Sequence, residues 1–488
     1  MERLSPEILP TLNGLAKPAY NRESIKAGIV HLGIGAFHRA HQAYYTDALM
    51  NLAGGDWGII GCSLRSATVA EQLNPQSGLY TLVEKSESLS SRVIGAVQQV
   101  LVAPENPQAV IDAMTLPSVK IISLTVTEKG YCHHPASGTL NTEHPDIVHD
   151  LRNPSAPKSA PGFIVAALAA RFKKGTGPVT VLSCDNLPNN GAVTRAVVIA
   201  LAEQMDSELA SWIKTNITFP ATMIDRIVPA TTEADISELA KSFGYQDEGL
   251  VVAEPFTQWV IEDDFCSDKP AWDKVGALFV NDVDSFETMK LRLLNGSHSL
   301  LAYSGYLGGY KTISQVMQDS DYVKLAKQFM KLAASTLKAP EGFNVEDYQA
   351  QLIARFTNPG LQHKTWQIAM DGSQKVPQRW LNTLRGLIAA GAPTSLFSFA
   401  LACWIRFVSG VDEQGQPIEI SDPLASSFKK LHEEHANDSD ALIAAFFSQQ
   451  AIFGDDLNSE QLVAEVQAHY RNVKAKGVRV CLGELVSE

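Results

Sequence analysis

In the stretch MKLRLLNGSHSLL, Met289 to Leu301, three residues able to do proton and hydrogen-bond chemistry interrupt a run of leucines: Lys290, Asn295 and His298. At ~100° per residue, Met289, Leu293 and Leu300 fall on one narrow helical stripe suited to a core. Lys290, Asn295 and His298 spread over roughly 140° on the other side, among Leu291, Leu294 and Leu301. Polar groups so surrounded must find partners or shift their pKa. A lysine among leucines is expected to titrate below a free lysine, which suits it to general-base work. An asparagine amide donates to a developing oxyanion without changing charge. Histidine beside them can orient a hydroxyl or tune the lysine. The set suits moving a proton at a carbinol while a nicotinamide takes the hydride, and that scheme requires no metal. A structural hydrogen-bond net is the other reading of the same three residues.

A nicotinamide needs a phosphate-binding turn. VHLGIGAFHRAHQ places Gly33 and Gly35 directly after a first strand, with a helix expected to begin near Phe37. Glycines there let backbone N–H groups approach a pyrophosphate at a helix N-terminus. The pattern is incomplete, because His38 stands where a third glycine is usual. The acid expected at the end of the second strand is also missing; the chain there reads CSLRSATVAEQ. A carboxylate at that place favours NAD, whereas Arg65 can accept a 2′-phosphate. NAD is the expected cofactor and NADP remains open. His38, Arg39 or His41 is expected to contact phosphate or to close the helix start. A metal site at His38 and His41 lacks further signposted ligands.

In a doubly wound sheet, ligands lie beyond the carboxyl ends of the strands. Three polar loops follow expected strands: Thr127, Glu128 and Lys129 in TVTEKGYC, Asp185 and Asn186 in SCDNLPNNG, and Asp225 and Arg226 in MIDRIVP. Taken singly, each reads as turn chemistry or a structural ion pair. Taken with the lysine helix, they suggest one convergent site, with Asn186 joining Asn295 as an oxyanion donor.

The elements that would position these groups change character along the chain. GIVHLGIGAF, DWGIIGCSL, YTLVEK, VKIISLTVTEKGY and PVTVLSCDNLPNNG read as strands, the third of them short; FPATMIDRIVP and GLVVAEPFTQWVIEDDF add extended segments. Helical patterns such as NPQAVIDAMTL, GFIVAALAARFKK and TRAVVIALAEQM alternate with them. This is the signature of an α/β fold with a mainly parallel sheet. After Phe286 the pattern becomes long and helical. The expected architecture is a Rossmann-type doubly wound domain over residues 1–285, binding the dinucleotide. A mostly α-helical substrate domain follows over residues 286–488, and a cleft between the two is the default site.

The 488 residues are too many for one core. Apolar residues make up 45% and charged residues 19%, and the net charge is −13. That balance argues against nucleic acid or an anionic membrane as partner, which require clustered lysine and arginine. The six cysteines are scattered without a CxxC, which suits reduced thiols. The first residues show no basic start followed by an apolar core, and no apolar run approaches ~18 residues. A cytoplasmic enzyme fits these bounds, and a soluble binding protein would fit them too; they do not set the oligomeric state, and a monomer or small homo-oligomer is expected.

KLRLLNGSHS resembles the active-site signature of the polyol-specific long-chain dehydrogenases, the mannitol 2-dehydrogenase family. FPATMIDRIVP is similar to a second signature, with Ile224 where valine is more usual. IVHLGIGAFHRAHQAYYTDAL, SLTVTEKGYC, SCDNLPNNGAVTR and EPFTQWVIED resemble family segments in the family's order, over nearly the whole chain. The resemblance implies metal-independent hydride transfer, Lys290 as general acid/base, and Asn186 with Asn295 as the oxyanion pair. It implies a substrate-side or supporting role for His298 and Asp225, and a place near the proton exit or nicotinamide for Glu128.

Within the family, NPGLQHKTWQIAMDGSQKVPQRW resembles the fructuronate reductase (D-mannonate oxidoreductase) branch. Gln367 replaces the arginine that mannitol enzymes tend to carry eight residues before the position of Lys375, and Arg379 follows. A sugar acid needs a cation for its carboxylate, and Lys375, Arg379 or Lys129 can supply it. HQAYYTDALMN and NLPNNGAVTR read closer to the mannitol enzymes. The expected substrate is D-fructuronate/D-mannonate, with D-mannitol/D-fructose as the alternative. Outside the class stand a catalytically silent sensor on the same fold and a metal-dependent sugar epimerase.

Overall fold

Four apolar runs and one mixed run build the central sheet. In the computed structural model, which describes residues 1–86, 89–134, 137–360 and 363–487, these are β1 (Ala27–Leu32), β2 (Gly58–Ser63), β3 (Val97–Val102), β4 (Ile121–Leu124) and β5 (Thr180–Ser183). They pair in parallel in the order β3-β2-β1-β4-β5. Every residue of β1, β2, β4 and β5 is buried, as a sheet covered on both faces requires. On one face Val30, Ile122 and Val181 pack with Phe163, Ile164 and Val198 of the helices Ala160–Lys174 and Asn190–Met205. On the other, Ile29, Ile59 and Leu182 pack with Ala43, Tyr45 and Trp259. The strand order reverses between β1 and β4, which makes their carboxyl ends the topological switch point.

YTLVEK does form a strand, Tyr80–Lys85, but outside this sheet. It lies in a separate three-stranded sheet between Val251–Ala253 and Leu89–Ile94. The third place in the main sheet belongs to β3, at an edge, where Gln98 and Gln99 interrupt the apolar pattern. Thr222–Asp225 pairs antiparallel with Gln258–Glu262, which also pairs with Leu278–Val280. The helix after the glycine turn starts at Ala36 and lasts five residues; His41 (φ −124°, ψ −90°) breaks it before Gln42–Ala53.

The chain divides into two compact units, Met1–Asp284 and Ser285–Glu488. Within the second, Ser395–Phe407 is buried almost throughout and packs against Gly296–Leu307 and Glu460–Lys476. Two helices there contain π turns. Leu291–Asn295 joins Asp284–Lys290 to Gly296–Leu307, and Pro377–Leu381 joins Gly372–Val376 to Asn382–Ala389. A π turn carries one extra residue and shifts the phase of the helix beyond it. Pro377 also lacks the N–H that an α-helix would use. The two turns are in contact: Trp380 Nε1 donates to the Gly296 carbonyl at 2.9 Å. A Cβ at Gly296 would approach the Arg379 carbonyl to 3.2 Å, so the close approach needs a small residue.

Among the described residues, no helix is long and apolar enough to cross a membrane. All six cysteines are free thiols.

Candidate active site

At the switch point, Gly33 adopts φ +87°, and a Cβ there would lie 2.2 Å from the Thr125 carbonyl. The turn after β1 therefore needs glycine because β4's exit loop crosses it. Gly35 differs: a Cβ would meet only the Gly33 carbonyl, at 3.9 Å. Among the described residues nothing crowds Gly35, which leaves its backbone open to the approach of a phosphate. The two glycines line a cavity of about 360 Å³ with Ser63, Arg65, Thr127 and Asp146. These residues fit a dinucleotide: glycines at a helix start, a hydroxyl and a guanidinium at the end of β2, and no acid there. Arg65 is exposed. Phe37 and Glu128 do not line this cavity; Phe37 stacks on His41 at 5.1 Å, and Glu128 is exposed at the head of the turn Glu128–Tyr131.

The phosphate role expected of His38, Arg39 or His41 is corrected. All three side chains are buried. Arg39 donates to the Gly249 and Gly35 carbonyls, and His41 Nε2 meets the Gln258 carbonyl at 3.0 Å. His38 stacks on His31 at 3.4 Å. His31 itself bridges Ser123 and Thr125 at 2.8 Å each, and Thr125 Oγ1 donates to the Gly33 carbonyl. Burial lowers His31 to about 3 and pushes His38 well below the usual histidine range. Both are neutral props beneath the glycine turn. The helix is too short and too sunken to offer their rings outward.

Asp185, read from sequence as loop chemistry, is an anchor. It is buried and accepts from the Val126 and Thr127 amides at 2.9 Å each and from the Tyr131 hydroxyl at 2.7 Å. Burial raises its pKa and those donors oppose the rise. It holds Thr127 at φ 63°, ψ 163°, a region otherwise glycine's. Asn186, the next residue, is exposed. Asp225 is buried at the end of its strand. Arg226 pairs with Glu84 at 2.5 Å and donates to the Glu254 and Ala40 carbonyls, so it is structural. Lys129 is exposed.

In the second unit, the leucine-rich helix buries Met289, Leu293 and Leu300 completely, and Lys290 and His298 nearly so; Asn295 is half-buried at the end of the π turn. His298 stacks on Phe356 at 5.2 Å and meets the His363 ring edge at 4.8 Å. Burial pushes it far below the ordinary histidine value, and His363, Arg379, Arg355 and Lys375 push the same way. His363 is lowered to about 4 by burial and by Lys375. Lys375 is lowered to about 8, first by burial and then by Arg379. Its Nζ donates a long 3.3 Å bond to the Ile368 carbonyl. Arg379 Nη1 donates to Ser299 Oγ at 2.8 Å and to the Asn295 carbonyl at 3.5 Å. Lys375 and Arg379, read from a loop-like segment, thus belong with His298. Arg355 and His363 also belong there and were not singled out from sequence. His363 stands in the quoted QHKTW segment, but no spacing marks it.

Two family profiles match the chain. One, described as the mannitol dehydrogenase Rossmann domain, matches residues 27–274, and the mannitol dehydrogenase C-terminal domain matches 282–474. D-mannonate oxidoreductase of Escherichia coli is 46% identical over 96% of this chain and 98% of its own length. A mannitol 2-dehydrogenase of Aspergillus fumigatus is 39% identical over 96% of this chain and 95% of its own. The solved structure of Pseudomonas fluorescens mannitol 2-dehydrogenase, a ternary complex with NAD and D-mannitol, matches over the whole of both chains with TM-score 0.87 and 39% identity. A substrate-free D-sorbitol dehydrogenase matches with TM-score 0.91 and 34% identity, over 98% of this chain and 100% of its own. The class is a dehydrogenase acting on CH–OH groups of polyols or sugar acids. Within it, the chain belongs to the mannitol dehydrogenase family.

Proposed function

We propose that this protein is an NAD-linked dehydrogenase interconverting D-fructuronate and D-mannonate, with Lys290 as general acid/base. One observation carries the sugar-acid reading: Lys375 and Arg379, half-buried and four residues apart, stand beside the buried His298, with Arg379 donating to Ser299 on the same helix as His298. Two cations drawn partly out of water attract a further anion even with Asp371 and Asp422 near Lys375, and a substrate carboxylate is such an anion.

Bound NAD supplies the hydride acceptor in oxidation and, reduced, the donor in reduction. Lys290 takes the carbinol proton in oxidation and returns it in reduction. Asn186 and Asn295 donate to the oxygen, whose charge grows as the proton leaves. His298, held neutral by burial and its cationic neighbours, is a poor proton carrier at neutral pH and orients a hydroxyl instead. Asp225 supports the substrate side. Lys375 is the main carboxylate ligand. Arg379, engaged with Ser299 and the Asn295 carbonyl, both adds charge and holds Asn295 in place. Gly33, Gly35 and Arg65 hold the dinucleotide, and Arg65 with no acid beside it at the end of β2 leaves room for NADP. Phe37 and Glu128 are proposed to reach the cofactor from the segments that follow Gly35 and Thr127. No step in this scheme calls for a metal ion.

The test is nicotinamide oxidation with D-fructuronate, D-tagaturonate and D-fructose, each with NADH and NADPH. The reading requires fructuronate to have the highest kcat/KM. Preference for fructose would make the protein a mannitol 2-dehydrogenase. Full-length similarity to the mannitol-bound structure favours that second reading.

A further inference from the structure

Cys132, His144 and Asp146 take no part in the reaction described above. One ligand atom from each lies within 4.8 Å of the others. Cys132 is buried and follows the turn Glu128–Tyr131 in left-handed backbone (φ 51°), while His144 and Asp146 are half-buried at the start of the helix Pro145–Arg152. Two segments of the first unit therefore bring together a thiol, an imidazole and a carboxylate. That is a borderline-soft set, and a tetrahedral ion held by three such groups keeps one position for water. Zinc–ligand lengths of ~2.0–2.3 Å put tetrahedral ligands roughly 3.3–3.8 Å apart, so the triad needs to contract by about 1 Å. Thiolate and carboxylate together balance the ion's charge. Cys132 and Asp146 also face the cavity lined by Gly33, Gly35 and Arg65, whereas His144 does not.

We propose that Cys132, His144 and Asp146 bind a zinc ion, and that the bound ion weakens dinucleotide binding in the adjoining cavity. The second half rests on that cavity being the cofactor site. On binding, the Cys132 S–H bond breaks, a Zn–S bond forms, and one proton passes to solvent with no change of oxidation state.

The experiment titrates the full-length protein with ZnCl₂ against a chromophoric chelator, without cofactor, and then titrates NADH by fluorescence with and without zinc. The expected result is one ion per chain, about one proton released, and an NADH Kd raised about tenfold or more by zinc. Magnesium at millimolar concentration should do neither. His144→Asn keeps a side-chain oxygen to cap the Asp146 amide, which His144 Nδ1 now accepts at 3.2 Å. It should retain zinc-free activity and NADH affinity while binding zinc at least ~10-fold more weakly. Cys132→Ser should lose zinc in the direct titration. No stoichiometric zinc, or wild-type zinc affinity in His144→Asn, overturns the site. Unchanged NADH affinity in the zinc-bound protein overturns the competition. If no form bound NADH at all, the cofactor reading and the competition would fail together, while zinc binding would still support the triad.

Discussion

The proposed function gives two lysines of the second unit different work, and their charge separates the roles. If Lys290 moves the proton, as proposed, Lys290→Ala should lower kcat/KM about 10²–10⁴-fold for every substrate alike, with Tm little changed; retention of most activity by a folded variant would remove it as acid/base. Lys375 is proposed to hold charge against the substrate, and partial burial beside Arg379 lowers it from 10.5 to about 8. Below pH 8 its ammonium is charged and attracts a carboxylate; above pH 8 the charge is lost. The KM for a sugar acid should therefore rise through pH 8, by up to about tenfold per unit, while the KM for D-fructose stays flat. A flat sugar-acid profile would move the carboxylate to another cation. The burial of Lys290 and His298 was legible, because they sit at helical spacing among leucines. Arg355 and His363 were not, since they reach His298 from other segments and no periodicity records a long-range meeting.

Two turns set the geometry of the cavity proposed for the cofactor, and each stores a testable constraint. Gly33→Ala would add a side chain at φ +87°, against the Thr125 carbonyl at 2.2 Å. It should cost at least ~2 kcal/mol of stability and weaken NADH binding, because the turn must open to admit the methyl group. Unchanged melting and binding would show that the β4 exit loop yields freely. Thr127 is the reverse case. Its backbone is strained by about 1–3 kcal/mol and is held by the Asp185 carboxylate. Thr127→Gly removes that strain but adds ~0.5–1 kcal/mol of unfolded-chain entropy, so a net gain of about 1 kcal/mol is expected in chemical denaturation. A loss would mean that the Thr127 side chain stabilises more than its backbone costs. At this scale the sequence was less informative. The glycine turn showed in the spacing of Gly33 and Gly35. The π turns did not, because they depend on how Leu291–Asn295 and Pro377–Leu381 pack on each other. The edge strand β3 was hidden by two glutamines.

At the scale of the molecule, the change from alternating strands and helices to long helices near Phe286 coincides with a change of core. The first unit buries its sheet under its own helices, around Val30 and Ile122 on one face and Ile29 and Ile59 on the other. The second has its own apolar centre in Ser395–Phe407. This was legible because hydrophobic period follows element type, and element type differs between the units. The residues assigned to the dinucleotide, Gly33, Gly35, Phe37, Arg65 and Glu128, all belong to the first unit. Lys290, Asn295 and His298 belong to the second. A fragment spanning residues 1–284 should therefore fold cooperatively and bind NADH within about tenfold of the full chain, a difference of ~1.4 kcal/mol, yet turn over no substrate. Circular dichroism with an NADH fluorescence titration checks both halves of that expectation. A folded fragment that binds no NADH would show that the second unit supplies part of the dinucleotide site. A fragment that turned over fructuronate would remove Lys290 from the chemistry altogether.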